Sequence, residues 1–191
     1  MDINSTITLN NGTKIPRLGI GCWRSPSGDV TKNSVLWALE AGYRHIDTAA
    51  IYKNEADVGN AIKESGIARK DIFVTTKLWN TDSRAHRQRE AFEESLDRLG
   101  LDYVDLYLIH WPVPGCYLST WKELESILES GRALSIGVSN FDIRHLEELR
   151  KISGVIPAVN QIECHPLCYP AELIEYCKAF GIQVQAYAPL A

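Results

Sequence analysis

One pattern recurs along this chain: apolar residues at helical spacing, then a glycine, then a short apolar run. Val35, Leu36 and Leu39 precede Gly42 and the run at His45. Val58, Ala61 and Ile62 precede Gly66 and the run Ile72 to Lys77. Phe92, Leu96 and Leu99 precede Gly100 and the run Val104 to His110. Leu124, Ile127 and Leu128 precede Gly131 and the run Ser135 to Asn140. Leu146 and Leu149 precede Gly154 and the run Ala158 to Glu163. Leu173, Ile174 and Cys177 precede Gly181 and the run Gln183 to Tyr187. A glycine at each helix end suits the left-handed conformation that a Cβ disfavours. Near-continuous apolar strands are those buried on both faces, and a unit of roughly thirty residues is the size of a βαβ step. Asn54 and Asp142 suit helix N-caps, and Thr120 with Glu123 has capping-box spacing.

Strands alternating with helices require a parallel sheet, either open and doubly wound or closed as a (β/α)8 barrel of TIM type. The polar residues favour the barrel. Asp47, Lys77, His110, Asn140 and Glu163 each stand at or just after the last apolar residue of a strand. In a barrel all strand ends ring one mouth, whereas an open sheet gathers only those at its switch point.

Ahead of the repeats, Ile7 to Leu9 and Lys14 to Arg17 flank Asn11-Gly12, a dipeptide suited to a two-residue hairpin turn, so a small β-hairpin lid is expected. Leu18-Gly19-Ile20-Gly21 reads as a first buried strand. Its two glycines lack the third that a dinucleotide fingerprint needs. The count is then one hairpin and about seven parallel strands in 191 residues, against eight strands and about 250 residues for a closed barrel. The expectation is a single barrel domain over 1–191, incomplete at its carboxyl end, with the eighth unit missing.

Asp47, Tyr52, Lys77 and His110 form a coherent chemical set. A phenol with a pKa of about 10 is a weak proton donor at neutral pH. A nearby cation stabilises the phenolate and lowers that pKa. Lys77 supplies the cation, Asp47 keeps it charged and oriented, and His110 can bond the same substrate oxygen. Such a group suits protonation of a carbonyl while a hydride arrives at its carbon. Ser139, Asn140 and Gln161 offer hydroxyl and amide groups suited to a carboxamide, and Tyr187 can stack on a planar ring. Trp23, Trp79 and Trp111 follow strand ends and can wall an apolar substrate cleft.

The segments Gly42-Tyr43-Arg44-His45-Ile46-Asp47-Thr48-Ala49, Tyr52-Lys53-Asn54-Glu55, Thr76-Lys77-Leu78-Trp79, Leu108-Ile109-His110-Trp111-Pro112, Gly137-Val138-Ser139-Asn140-Phe141 and Asn160-Gln161-Ile162-Glu163 together resemble the aldo-keto reductase family. The resemblance runs along essentially the whole chain and is strongest to the compact branch that includes diketogluconate reductases and prostaglandin F synthases. It implies NADPH-dependent reduction of aldehydes and ketones to alcohols. Tyr52 would be the proton donor, Lys77 and Asp47 its tuning pair, and His110 the residue that orients substrate. Ser139, Asn140 and Gln161 would hold the nicotinamide amide, Tyr187 would stack on its ring, and Cys22, Trp23 and Asp47 would complete the cofactor side. Trp23, Trp79, His110 and Trp111 would meet the substrate. Ala188 stands where the family commonly has a serine. The family's eighth strand, its basic residues for the 2′-phosphate and its substrate loop would fall beyond Ala191. That gap implies weak NADPH binding by residues 1–191 alone, and it keeps open a second reading: a truncated or non-catalytic binding protein on the same scaffold.

Composition narrows the rest. Twenty basic and 24 acidic residues are mixed along the chain for a net charge of −4, so no basic stripe suggests a nucleic-acid partner. Apolar runs are shorter than a membrane span and no secretory layout opens the chain. Five cysteines without CxxC spacing argue for free thiols in a reducing compartment. Cys164 and Cys168 flank His165, but no second pair completes a metal set, so no metal is expected. The composition points to a cytoplasmic protein whose partner is a small carbonyl compound, monomeric when full length.

Overall fold

The computed structural model describes residues 3–190. A two-stranded antiparallel hairpin, β1 (Thr6–Thr8) and β2 (Lys14–Pro16), precedes a seven-stranded parallel sheet. That sheet holds β3 (Ile20–Gly21), β4 (His45–Asp47), β5 (Phe73–Leu78), β6 (Leu106–Ile109), β7 (Ile136–Ser139), β8 (Val159–Glu163) and β9 (Gln183–Tyr187), each paired with the next in sequence order. The helices are α1 (Asp29–Glu40), α2 (Glu55–Ser65), α3 (Asn80–Arg84), α4 (Gln88–Leu99), α5 (Tyr117–Glu129), α6 (Ile143–Ile152) and α7 (Ala171–Ala179). Sequential parallel pairing with a helix in every crossover is the (β/α) barrel arrangement, and the sheet is curled nearly to closure. Gln161 on β8 and Gln185 on β9 both reach Asp47 on β4, which a flat sheet of this order would keep far apart.

Alternation along the strands divides the core into two. Val74, Leu78, Tyr107, Ile109, Ile136 and Val138 point outward and pack with the helices, among them Leu96, Trp121 and Leu146. Phe73, Leu106, Leu108 and Val159 point inward, where Leu9 and Ile15 of the hairpin cover them. All six residues of β5 are buried, as expected of a strand with covered faces on both sides.

The hairpin is therefore a plug under the amino ends of the strands. Asn10 Nδ2 donates to the Pro157 carbonyl at 3.1 Å, and Asn11 Nδ2 to Leu134 O and Ser135 Oγ at 3.0 and 2.9 Å. This corrects the expected two-residue turn: Thr8 pairs with Lys14, leaving a five-residue loop whose asparagines are used to dock it. Two further expectations change. Thr120 lies inside α5, where it accepts a bond from Gln88 Nε2 at 3.2 Å, and so caps nothing. Gly154 is absent from the left-handed glycines, although Gly100 (φ 63°) and Gly181 (φ 69°) end α4 and follow α7 as anticipated. Asp142 does close a capping box with His145 at the start of α6.

Candidate active site

The inward residues at the carboxyl ends of the strands form a polar layer above the apolar plug. Lys77, fully buried, donates from Nζ to Asp47 Oδ1 and to the Thr48 carbonyl, the latter at 3.0 Å. The second carboxylate oxygen, Asp47 Oδ2, accepts from Gln161 Nε2 at 2.6 Å and from Gln185 Nε2 at 3.3 Å. Three side chains on three other strands thus fix one carboxylate, and the attraction between Lys77 and Asp47 is strengthened by the full burial of the ammonium.

Tyr52 ends a 3-10 turn, Ala50–Tyr52, that follows β4. Lys53 after it holds φ 58°, a left-handed conformation uncommon for a residue with a side chain. Arg24, Asn140 and Ala188 do the same after β3, β7 and β9, so local backbone strain gathers at this mouth, as it often does at functional sites. The Tyr52 ring lies 5.2 Å from Lys77 Nζ and 5.7 Å from the His110 ring, edge to face. The Trp79 ring also stands edge to face with His110, at 5.2 Å.

Burial governs the protonation of both. It raises the Tyr52 phenol above its ordinary value of 10, and the Lys77 charge, the largest opposing influence, offsets only part of that. The expected net lowering of the Tyr52 pKa is therefore corrected: in this environment desolvation outweighs the ammonium. Burial, aided by Lys77, lowers His110 to about 3, so its imidazole is neutral at physiological pH. Its Nδ1 is buried without a partner. A neutral imidazole beside a protonated phenol can bond one acceptor oxygen from two directions.

Across the mouth five residues form one linked chain. Ser139 Oγ donates to Gln161 O at 2.9 Å, and Asn140 Nδ2 donates to Ser139 Oγ and to His110 O, both at 3.0 Å. The Tyr187 hydroxyl donates to Asn140 Oδ1 at 2.9 Å. Asp47, Tyr52, Trp23, Trp79, His110, Trp111, Ser139, Asn140, Gln161 and Tyr187 all line one open cavity of about 1020 Å³, with Lys77 directly beneath. Amide, hydroxyl and aromatic groups along this lining fit a planar carboxamide-bearing ring and a polar oxygen. Cys22 does not belong to this set. It is buried outside the lining, and burial pushes its thiol up to about 12.

Two contributors escape the sequence. Gln185 lies two residues before Tyr187 on β9, so strand alternation puts both side chains inside. Asn54 is fully buried and does not cap α2 with its side chain. Among the described residues no group of three or more His, Cys, Asp or Glu could hold a metal ion, and no helix is long and apolar enough to cross a membrane.

The fold and the mouth thus define a parallel α/β barrel with a phenol, a neutral imidazole and a buried ammonium–carboxylate pair around one cleft. Residues 17–191 match the Aldo/keto reductase family. The 9,11-endoperoxide prostaglandin H2 reductase of Trypanosoma cruzi is 50% identical over 184 residues, which are 96% of this chain and 65% of that protein. The glyoxal reductase of Bacillus subtilis is 50% identical over 188 residues, 98% of this chain and 68% of that protein. The crystal structure of an aldo/keto reductase from Brucella melitensis superposes with a TM-score of 0.94 at 51% identity, covering 97% of this chain and 73% of the other. The chain belongs to the Aldo/keto reductase family. It spans about two thirds of the length of the curated relatives that it matches.

Proposed function

We propose that the protein is an NADPH-dependent reductase that converts aldehydes and ketones to alcohols, with residues 1–191 as one barrel domain. The observation that carries this reading is the convergence of Tyr52 and His110 on one cleft above the Lys77–Asp47 pair. A neighbouring structure, a Bombyx mori aldo-keto reductase at 40% identity, is described as a complex with NADP.

In this reading Ser139, Asn140 and Gln161 hold the carboxamide of the cofactor, Tyr187 covers its ring, and Trp23 and Asp47 border it. When bound, the nicotinamide supplies the hydride. Tyr52 keeps its proton until a carbonyl oxygen begins to gather charge, because burial holds the phenol protonated. As the proton leaves, the phenolate left behind is stabilised by Lys77, whose charge otherwise only opposes desolvation. The pair separates the two requirements: a phenol that is protonated at rest, and a cation placed for its conjugate base. Neutral His110 donates to the same oxygen and orients it, while Trp79, Trp111 and Trp23 wall the cleft. The net charge of −4 and the free cysteines support a cytoplasmic enzyme acting on a small carbonyl compound rather than a nucleic-acid protein, and we take it as monomeric when full length. Steady-state loss of NADPH absorbance with an aromatic aldehyde tests the reading. Aldehyde-dependent oxidation is expected; a rate equal to that without aldehyde counts against it.

A further inference from the structure

Asn54 occupies the N-cap position of α2, yet its side chain leaves the helix end uncapped. Its amide is used elsewhere and is fully buried. Nδ2 donates to the carbonyls of Cys22, at 2.9 Å, and Ser25, at 3.2 Å, both in the loop after β3. Oδ1 accepts the Thr48 hydroxyl at 2.7 Å, in the loop after β4. Both amide hydrogens and one lone pair are thereby engaged.

These partners are the frame of the mouth. Cys22 and Ser25 bracket Trp23 and Arg24, which line the cavity. Thr48 carries the carbonyl that accepts Lys77 Nζ at 3.0 Å, and the turn that ends in Tyr52 begins two residues later. We propose that Asn54 is a positioning residue whose buried amide ties the loop after β3 to the loop after β4 and so sets Trp23, Tyr52 and Lys77 relative to one another. Only a primary amide supplies two donor hydrogens and an acceptor in this span: aspartate offers no donor to the two carbonyls, and leucine makes none of the three bonds. The catalytic consequence rests on the reading of Tyr52 as proton donor; the geometry does not.

The test needs no turnover. In the chain labelled with [13Cζ]tyrosine and 15N-indole tryptophan, Asn54→Ala is expected to move the Trp23 indole resonance. It is also expected to raise the pH at which Tyr52 ionises by about half a unit or more, as Lys77 loses its fixed place. Lys77→Met gives the reference direction, and an unmoved Trp121 resonance reports an intact core. Trp23 and Tyr52 signals unchanged in a folded Asn54→Ala chain would overturn the proposal, leaving only a stabilising role. Should that variant fail to fold, Thr48→Val removes the hydroxyl link while keeping the Thr48 carbonyl. An upward Tyr52 shift there supports the proposal, and an unmoved Tyr52 overturns it. Moved signals in a parent chain without reductase activity would keep this inference while removing the reductase reading.

Discussion

Gln161 Nε2 donates to Asp47 Oδ2 at 2.6 Å, joining β8 to β4 across the barrel interior. The bond matters because the other oxygen of the same carboxylate accepts Lys77, a fully buried ammonium. Gln161 thus belongs to two sets at once: its main-chain carbonyl accepts the Ser139 hydroxyl, and its side-chain amide holds the carboxylate paired with Lys77.

Asp47→Ala removes the anionic partner of Lys77 and leaves a fully buried ammonium without its carboxylate. The expected loss is about 3–5 kcal/mol of stability, the range for breaking a buried pair. Urea denaturation at neutral pH measures it. A change within experimental error of zero would mean that Lys77 is solvated or neutral and that the pair does not exist in solution.

Acid should weaken the fold ahead of its carboxylates. Burial lowers His45 to about 4 and His110 to about 3, whereas both titrate near 6.5 once unfolded. Below pH 6.5 the unfolded chain binds protons that the folded chain refuses, so stability falls as pH drops from 6.5 toward 4. The linkage amounts to at most about 2 kcal/mol for each histidine at pH 5. Urea midpoints at pH 7 and pH 5 check this. Equal stability at the two pH values would show that the imidazoles protonate in place.

Much of this arrangement was legible before any coordinates, for physical reasons. Helix spacing, terminal glycines and apolar runs are local signals, and together they locate β4 to β9 to within a residue or two. Residues at strand exits follow from alternation once a barrel is assumed, which is why Asp47, His110, Ser139 and Gln161 were identifiable. What stayed hidden depends on distant partners. Asn10 and Asn11 look like turn residues until Pro157 and Leu134 are placed beside them. Asn54 looks like a cap until Cys22, Ser25 and Thr48 surround it. The direction of the Tyr52 pKa is not readable from the sequence, which shows the nearby lysine but not the depth of burial, and burial is the larger influence. Cys22 enters the cofactor side only through the resemblance, and its side chain packs in the core.

Tyr187 should separate two contributions to cofactor affinity. Tyr187→Phe keeps the ring and removes the hydroxyl that bonds Asn140 Oδ1, so a change of only a few-fold in NADPH affinity is expected, about 1 kcal/mol. Tyr187→Ala removes the ring as well and should weaken binding further, by the share that stacking supplies. Fluorescence titration with NADPH measures both. Equal affinity for the parent chain and Tyr187→Ala would show that the ring does not cover the nicotinamide.

The most direct measurement compares Tyr52→Phe with the parent protein in the NADPH-dependent reduction of a small aromatic aldehyde, with NADPH affinity measured in parallel. The phenol of Tyr52 is placed beside both Lys77 and His110. The rate should therefore fall by about 10²-fold or more, the range for loss of a general acid, while NADPH affinity stays at the parent value. Turnover by Tyr52→Phe at the parent rate would contradict the account.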